Sequence, residues 1–278
     1  MKPRVMSLVI FTCAVGLLTS NSNTNITDAI IGITLVALGA GAAGCLNMWY
    51  EADLDALMTR TCLRPIPTGK IDKQQALVFG IFLTIFSVGA LNYFANTLSA
   101  TLLLFTILFY LFVYTIWLKR ITSQNIVIGG VAGSLPPVIG WAIATNSISL
   151  ASISLFLIIF LWTPSHFWAL SLYKADDYKK AKIPMMPLTN GVEKTKIYIF
   201  IYSLLMLPVI ILPYVINFSG LIYLIPAMVL TIYYNFMCYD LYKHKKNKFV
   251  LKKAKKVFGY SILYLFLIFV MFLIDNLI

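Results

Sequence analysis

Charge is what this sequence has least of. Only 12% of its 278 residues are Asp, Glu, Lys or Arg. A soluble domain carries about 25%, because its surface must face water. With 60% hydrophobic residues and a mean hydropathy of +0.86, the chain has too little polar surface to clothe a globule, which excludes a soluble fold. Cysteine and histidine are nearly as scarce. Cys13, Cys45, Cys62 and Cys238 stand far apart with no C-x-x-C pair, so they read as small buried hydrophobes rather than a disulfide or zinc framework. His166 and His244 are distant from each other and no H-E-x-x-H occurs, which argues against a protein-only zinc site. Acids are fewest of all, 10 against 22 Lys and Arg, for a net charge of +12. In a membrane chain this excess points to cytoplasmic loops before it points to nucleic acid, and no nucleic-acid partner is expected.

A bilayer-spanning helix needs roughly 20 mostly apolar residues. The hydropathy pattern predicts nine, at 5–20, 29–48, 76–95, 98–118, 124–145, 149–172, 197–217, 221–241 and 257–274. The first is short, with Lys2 and Arg4 before it, but no small-x-small cleavage site follows, so it is read as a span. Alternating the loops then places all 22 basic residues on the N-terminal side. Under the positive-inside rule that side is cytoplasmic, in a bacterial or archaeal cell membrane. Residues 1–278 form one polytopic domain in this reading.

Eight of the ten acids share the basic side, and most fall in two loops longer than twenty residues, after spans two and six. Long charged loops usually carry function. The two loops also share a short likeness, Tyr50-Glu51-Ala52-Asp53 against Tyr173-Lys174-Ala175-Asp176. Either an internal repeat of four-helix units or coincidence accounts for it.

In the first loop Asn47, Glu51 and Asp55 recur at i, i+4 and i+8, one face of a helix, while Asp53 points elsewhere. Hard oxygen donors at this spacing suit Mg²⁺, which commonly bridges to substrate phosphates. A solvated helix end is the plainer alternative, but three acids at a C-terminus oppose the helix dipole. Arg60, Arg64 and Lys70 follow, matched to phosphate or carboxylate oxygens; membrane anchoring would explain any one of them. Lys119 and Arg120 end span four. Pro136-Pro137 predicts a kink in span five, and the lysines of 243–256 read as a solvated, lipid-facing loop. His166, in Trp162-Thr-Pro164-Ser-His166-Phe167-Trp168, lies inside a span, where a polar residue is a functional candidate. A neutral imidazole there can ligate a metal, contact a ligand, or hydrogen-bond across helices.

Together these stretches resemble the protoheme IX farnesyltransferases (heme O synthases) of the intramembrane aromatic prenyltransferase superfamily. The likeness runs through Lys2-Pro3-Arg4-Val5, Asn47 to Arg64-Pro65, Leu118-Lys119-Arg120, Asn125-Ile-Val-Ile-Gly-Gly, Gly140-Trp141, Trp162 to Trp168, and Asp176-Asp177-Tyr178 with Ile183-Pro184-Met185. It implies an all-α membrane protein with nine helices around a central chamber opening to the cytoplasmic side. The implied reaction is Mg²⁺-dependent farnesyl transfer from farnesyl diphosphate to a heme B vinyl group. The product is heme O, used in building heme-copper terminal oxidases. Heme A synthase or oxidase assembly proteins are the implied partners, beside membrane lipid.

The resemblance assigns Asn47, Glu51 and Asp55 to Mg²⁺, and groups them with Asp53, Lys119 and Arg120 as catalytic. Arg60, Arg64, Lys70, His166, Trp168, Asp176 and Asp177 are assigned to substrate. Ala52 departs from a position often basic in the family. A second departure is His166, which aligns with the first acid of a D-x-x-x-D motif in relatives that prenylate benzoates. Two rivals stand beside this reading. One is an intramembrane prenyltransferase acting on a quinone precursor or chlorophyllide. The other is a heme or anion transporter, which would carry ionisable groups near midplane; here the charges gather at one face.

Overall fold

In hydrocarbon each backbone N–H and C=O must be satisfied within its own segment, so an apolar chain of this kind has to be helical. The computed structural model describes residues 3–277 apart from Asn21 and Asn23, and no strand occurs among them. Lys2 and the side chains of Pro3, Arg4 and Val5 lie outside the described residues. The helices are α1 (Pro3–Leu18), α2 (Ile26–Tyr50), α3 (Ala52–Leu57), α4 (Lys73–Phe94) and α5 (Thr97–Leu108). A π-helical segment, Phe109–Trp117, and a 3₁₀ turn, Leu118–Arg120, continue α5. Then come α6 (Asn125–Ser134), α7 (Pro136–Thr145), α8 (Leu150–Tyr173), α9 (Ala175–Lys180), α10 (Met186–Thr189), α11 (Gly191–Val215), α12 (Leu221–Lys243) and α13 (Asn247–Leu277).

Among the described residues eight stretches are long and apolar enough to cross a membrane. The first expected span corresponds to α1, shorter at 16 residues. It is held against α7 by two glycines that let the backbones touch: a Cβ at Gly140 would lie 1.9 Å from the Cys13 carbonyl oxygen, and one at Gly16 would lie 2.1 Å from that of Pro137. Span five breaks at Leu135, where Pro136 opens α7, the kink that the proline pair predicts.

The lysine-rich stretch departs from expectation. It is not a loop: from Asn247 onward it forms the first turns of α13. Lysine is a good helix former, and Val250, Ala254 and Val257 bury a stripe on one face. Asp240 pairs with Lys253 across the turn, while the fully buried Lys196 donates to the carbonyl oxygens of His244 at 2.6 Å and Tyr242 at 3.4 Å, closing the end of α12.

Two apolar cores result. One joins side chains of α1, α2, α4, α5, α7 and the π segment; the other is centred on α8, α11, α12 and α13. Hydrogen bonds knit the second across helices, Ser165 to Tyr234 at 2.7 Å, Ser203 to Asn235 at 2.9 Å and Thr231 to Tyr264 at 2.9 Å. The loop likeness seen in sequence has a structural counterpart. Both α2 and α8 end at a tyrosine, break over one residue (Glu51 or Lys174), and restart at an alanine as a six-residue helix. The backbone angles at the break are similar, φ −93° and ψ 15° at Glu51 against φ −114° and ψ 20° at Lys174.

Candidate active site

The α2–α3 junction sets the site. The Glu51 N–H donates to the Asn47 carbonyl, and the Asp55 N–H to that of Glu51, so the helical spacing carries on through the break. Asn47, Glu51 and Asp55 therefore share one face, and all three are buried, at 0%, 2% and 3% exposure. Asp53 points the other way and is exposed.

Buried carboxylates need opposite charge, because desolvation is costly unless an ion pair offsets it. Lys119 Nζ lies 2.5 Å from one Glu51 carboxylate oxygen and 2.6 Å from the other. Arg64 lies 2.6 Å from Asp55. Arg120 donates to Asp53 at 3.1 Å and lies over the Tyr50 ring at 5.1 Å. Partial burial works against ionising Asp53, but the hydrogen bond from Arg120, those from the backbone and the Arg120 charge together outweigh it and hold the carboxyl below its usual range. The 3₁₀ turn aims the adjacent Lys119 and Arg120 at two acids of α2–α3.

The π segment shapes the neighbouring wall. It stacks Tyr110 on Tyr114 at 5.3 Å, and Lys119 lies 5.7 Å from the Tyr114 ring. Gly129 makes room for that ring, since a Cβ there would fall 2.2 Å from Tyr114 Cδ2. The turn that carries Lys70 needs Gly69, at φ +72°. Arg60 and Lys70 are exposed on this loop.

The second loop joins the first through Asp177, which is buried and accepts from the Thr59 hydroxyl at 2.8 Å on both carboxylate oxygens. Asp176, beside it, is exposed. His166 lies between the rings of Trp162 (4.2 Å) and Phe258 (4.6 Å), and its Nδ1 is 2.6 Å from the Ser261 hydroxyl. That hydroxyl donates its proton to the Phe258 carbonyl at 2.7 Å, so Nδ1–H donates to Ser261 and Nε2 keeps its lone pair. Trp168 is buried against Tyr198 and Tyr202, with its indole N–H unpartnered. The structure thus gathers Asn47, Glu51 and Asp55 on one buried face, with the partly exposed Arg64 and Lys119 against it. It sets Asp53 and Arg120 on the rim and draws Asp177 in through Thr59. His166 packs toward α13 and Trp168 toward α11. Sequence reasoning passed over Thr59, Thr115 and Tyr110, which carry no charge and recur in no visible pattern.

The donor set of the buried face fits Mg²⁺: hard oxygens, two of the three donors carboxylates, and neither sulfur nor imidazole. Among the described residues no three His, Cys, Asp or Glu side chains converge on a point. Mg²⁺ commonly takes one or two carboxylates and completes its shell with water and substrate phosphates.

An all-helical membrane bundle with paired acids and cations at one end describes a class of enzyme. The chain belongs to the UbiA prenyltransferase family, whose profile matches residues 8–262. It is 75% identical over 276 residues to a protoheme IX farnesyltransferase of Pelagibacter ubique (strain HTCC1062), covering 99% of this chain and 91% of that one. It is 52% identical to protoheme IX farnesyltransferase 2 of Mesorhizobium japonicum, covering 99% and 88%. A solved structure of digeranylgeranylglyceryl phosphate synthase superposes with a TM-score of 0.82 at 19% identity, covering 99% of this chain and 94% of the other. A UbiA homolog from Archaeoglobus fulgidus, bound to DMAPP and Mg²⁺, superposes at 0.70 with 17% identity, covering 96% and 97%. These two likenesses concern the fold.

Proposed function

We infer that this chain transfers farnesyl from farnesyl diphosphate to a vinyl group of heme B, giving heme O. The observation that carries the chemistry is the buried face of Asn47, Glu51 and Asp55 with Lys119 and Arg64 already against it. The acceptor rests on the 75% identity to a protoheme IX farnesyltransferase along nearly the whole chain.

Breaking the allylic C–O bond leaves negative charge on diphosphate, and preorganised cations stabilise that charge as it develops. Glu51 and Asp55, with Asn47, would hold Mg²⁺; when bound, the ion neutralises the leaving diphosphate as a Lewis acid. Lys119 and Arg64 are placed to turn from carboxylate to phosphate oxygens when the substrate enters, and Arg60, Lys70 and Arg120 at the rim draw the anion in. The Tyr110–Tyr114 stack offers π-faces to the farnesyl cation and keeps water from it. The vinyl carbon attacks that cation, and water captures the resulting porphyrin-side cation, leaving the hydroxyl and releasing a proton to solvent or to the departed diphosphate. Asp177 ties the two loops together. His166, through Nε2, and Trp168 are the porphyrin contacts in this scheme. The site opens to the cytoplasm, with the N-terminus on the same side, because all the basic residues lie there.

Mass analysis of heme extracted from cells with and without this protein tests the assignment. Heme O appearing only with the protein is expected; a prenylated quinone precursor in its place would overturn the acceptor.

A further inference from the structure

We propose that the first turns of α13 form a docking surface for the headgroups of anionic phospholipids, with Lys248, Lys252, Lys255 and Lys256 as the contacts. At about 100° per residue these four, spaced i, i+4, i+7 and i+8, fill one arc of the helix, and all four are exposed. The opposite arc holds Val250, Ala254 and Val257, buried in the bundle. The charge on the outer arc is unanswered. Asp240 is the only acid between Glu193 and Asp275, and Lys253 and His244 already lie against it.

The same arc runs on down the helix through Gly259, Ile262, Leu263 and Phe266. Its three apolar side chains are exposed, and a Cβ at Gly259 would meet nothing within 4 Å. In a membrane chain such a stripe faces lipid, so the lysines above it stand over the same lipids. Length fixes their depth. The helix has 31 residues, roughly 46 Å by its rise, against about 30 Å of hydrocarbon. Asp275 pins the far end at the opposite surface, where it caps α12. Counting about 20 residues back from it reaches Lys255 and Lys256. That leaves those two at the edge of the hydrocarbon, and Lys248 and Lys252 among the phosphates. Lysine stems lie along apolar surface while the ammonium groups reach phosphate oxygens. Exposed Phe249 and Leu251 flank the arc on either side. A lipid is favoured over a soluble acidic partner because the stripe passes without a break from ammonium groups to hydrocarbon. That is the order of a phospholipid's own headgroup and chains.

For the test, the full chain is reconstituted in phosphatidylcholine bilayers with trace spin-labelled phosphatidylglycerol or phosphatidylcholine. EPR then separates lipid held at the protein from bulk lipid. Phosphatidylglycerol should be held at least about fivefold more strongly, one lysine's contribution near a charged surface. The preference should fade in about 1 M salt. Lys248→Gln/Lys252→Gln/Lys255→Gln/Lys256→Gln should remove most of it, and arginine at the same four positions should keep it. Lys252→Gln/Lys256→Gln should lose more of it than Lys179→Gln/Lys180→Gln, which removes equal charge from α9. This pair of variants also serves if the fourfold one does not fold. Equal holding of the two lipids by the wild-type chain overturns the proposal. So does an equal loss in the α9 variant, which would mark a general attraction of basic loops for the membrane surface. Unchanged preference in the fourfold variant, with its helix content intact, assigns these lysines to solvent or to an acidic protein instead.

Discussion

Glu51, Asp53 and Asp55 each have their own cation, and the pairs differ in how much water they have lost. Glu51 and Asp55 are buried while Asp53 is exposed, so the cost of breaking a pair differs accordingly. Glu51→Gln leaves Lys119 facing a neutral amide in a desolvated place. It should cost about 3 kcal/mol of stability and lower kcat/KM at least about 100-fold, read by calorimetry and by heme O formation. Asp53→Asn releases only a rim arginine, and its stability change should stay within about 1 kcal/mol. His166 is a residue whose neighbourhood admits two outcomes. Its two flanking rings predict a lower melting temperature for His166→Ala. The free Nε2 lone pair further predicts a shifted Soret band and a raised heme dissociation constant. A melting change with an unmoved Soret band would remove His166 from the porphyrin contacts.

Elements are positioned here by single contacts at their ends and crossings. Asp275, near the end of α13, accepts from the backbone N–H of Gly220 at 2.6 Å and of Tyr223 at 3.1 Å, so it caps α12 from another helix. Asp275→Ala should cost about 1 to 2 kcal/mol in thermal unfolding while transfer activity at low temperature is kept. Gly129→Ala acts at the opposite end. The added methyl has no room beside Tyr114, so that ring must leave its place over the site. A misplacement of about 1 Å can cost about 100-fold, and kcat/KM should fall by that order with the fold retained by circular dichroism. The π segment belongs to this scale too. Its apolar sequence, Phe109 to Trp117, gives no sign of a changed helical register, because the register follows from packing on α2 and α6.

For the whole molecule the first question is which way it faces. Membrane-impermeant labelling in a Cys62→Ser background should reach a cysteine at Thr97 from outside and one at Lys248 from inside. The opposite pattern at either position would invert or break the span count. A further cysteine at Lys2 checks α1: it should be labelled from inside, since a first helix that failed to cross would put the N-terminus on the Thr97 side.

Much of this architecture was legible in the sequence, for physical reasons that act locally. The bilayer rewards long apolar runs wherever they stand, so span existence follows from hydropathy. Charge asymmetry gives an expected orientation, and a proline pair breaks a helix by geometry alone. The i, i+4, i+8 spacing put Asn47, Glu51 and Asp55 on one face before any packing was known. Tertiary structure alone decided which cation answers which acid. Lys119 meets Glu51 and Arg120 meets Asp53 across 68 and 67 residues of chain, and composition carries no record of that pairing. It also decided that the lysine stretch is helical, because the apolar stripe of Val250, Ala254 and Val257 finds its partner only when the helices assemble. The same holds for Thr59: its hydroxyl meets Asp177, 118 residues away, and nothing in its own segment encodes that neighbour.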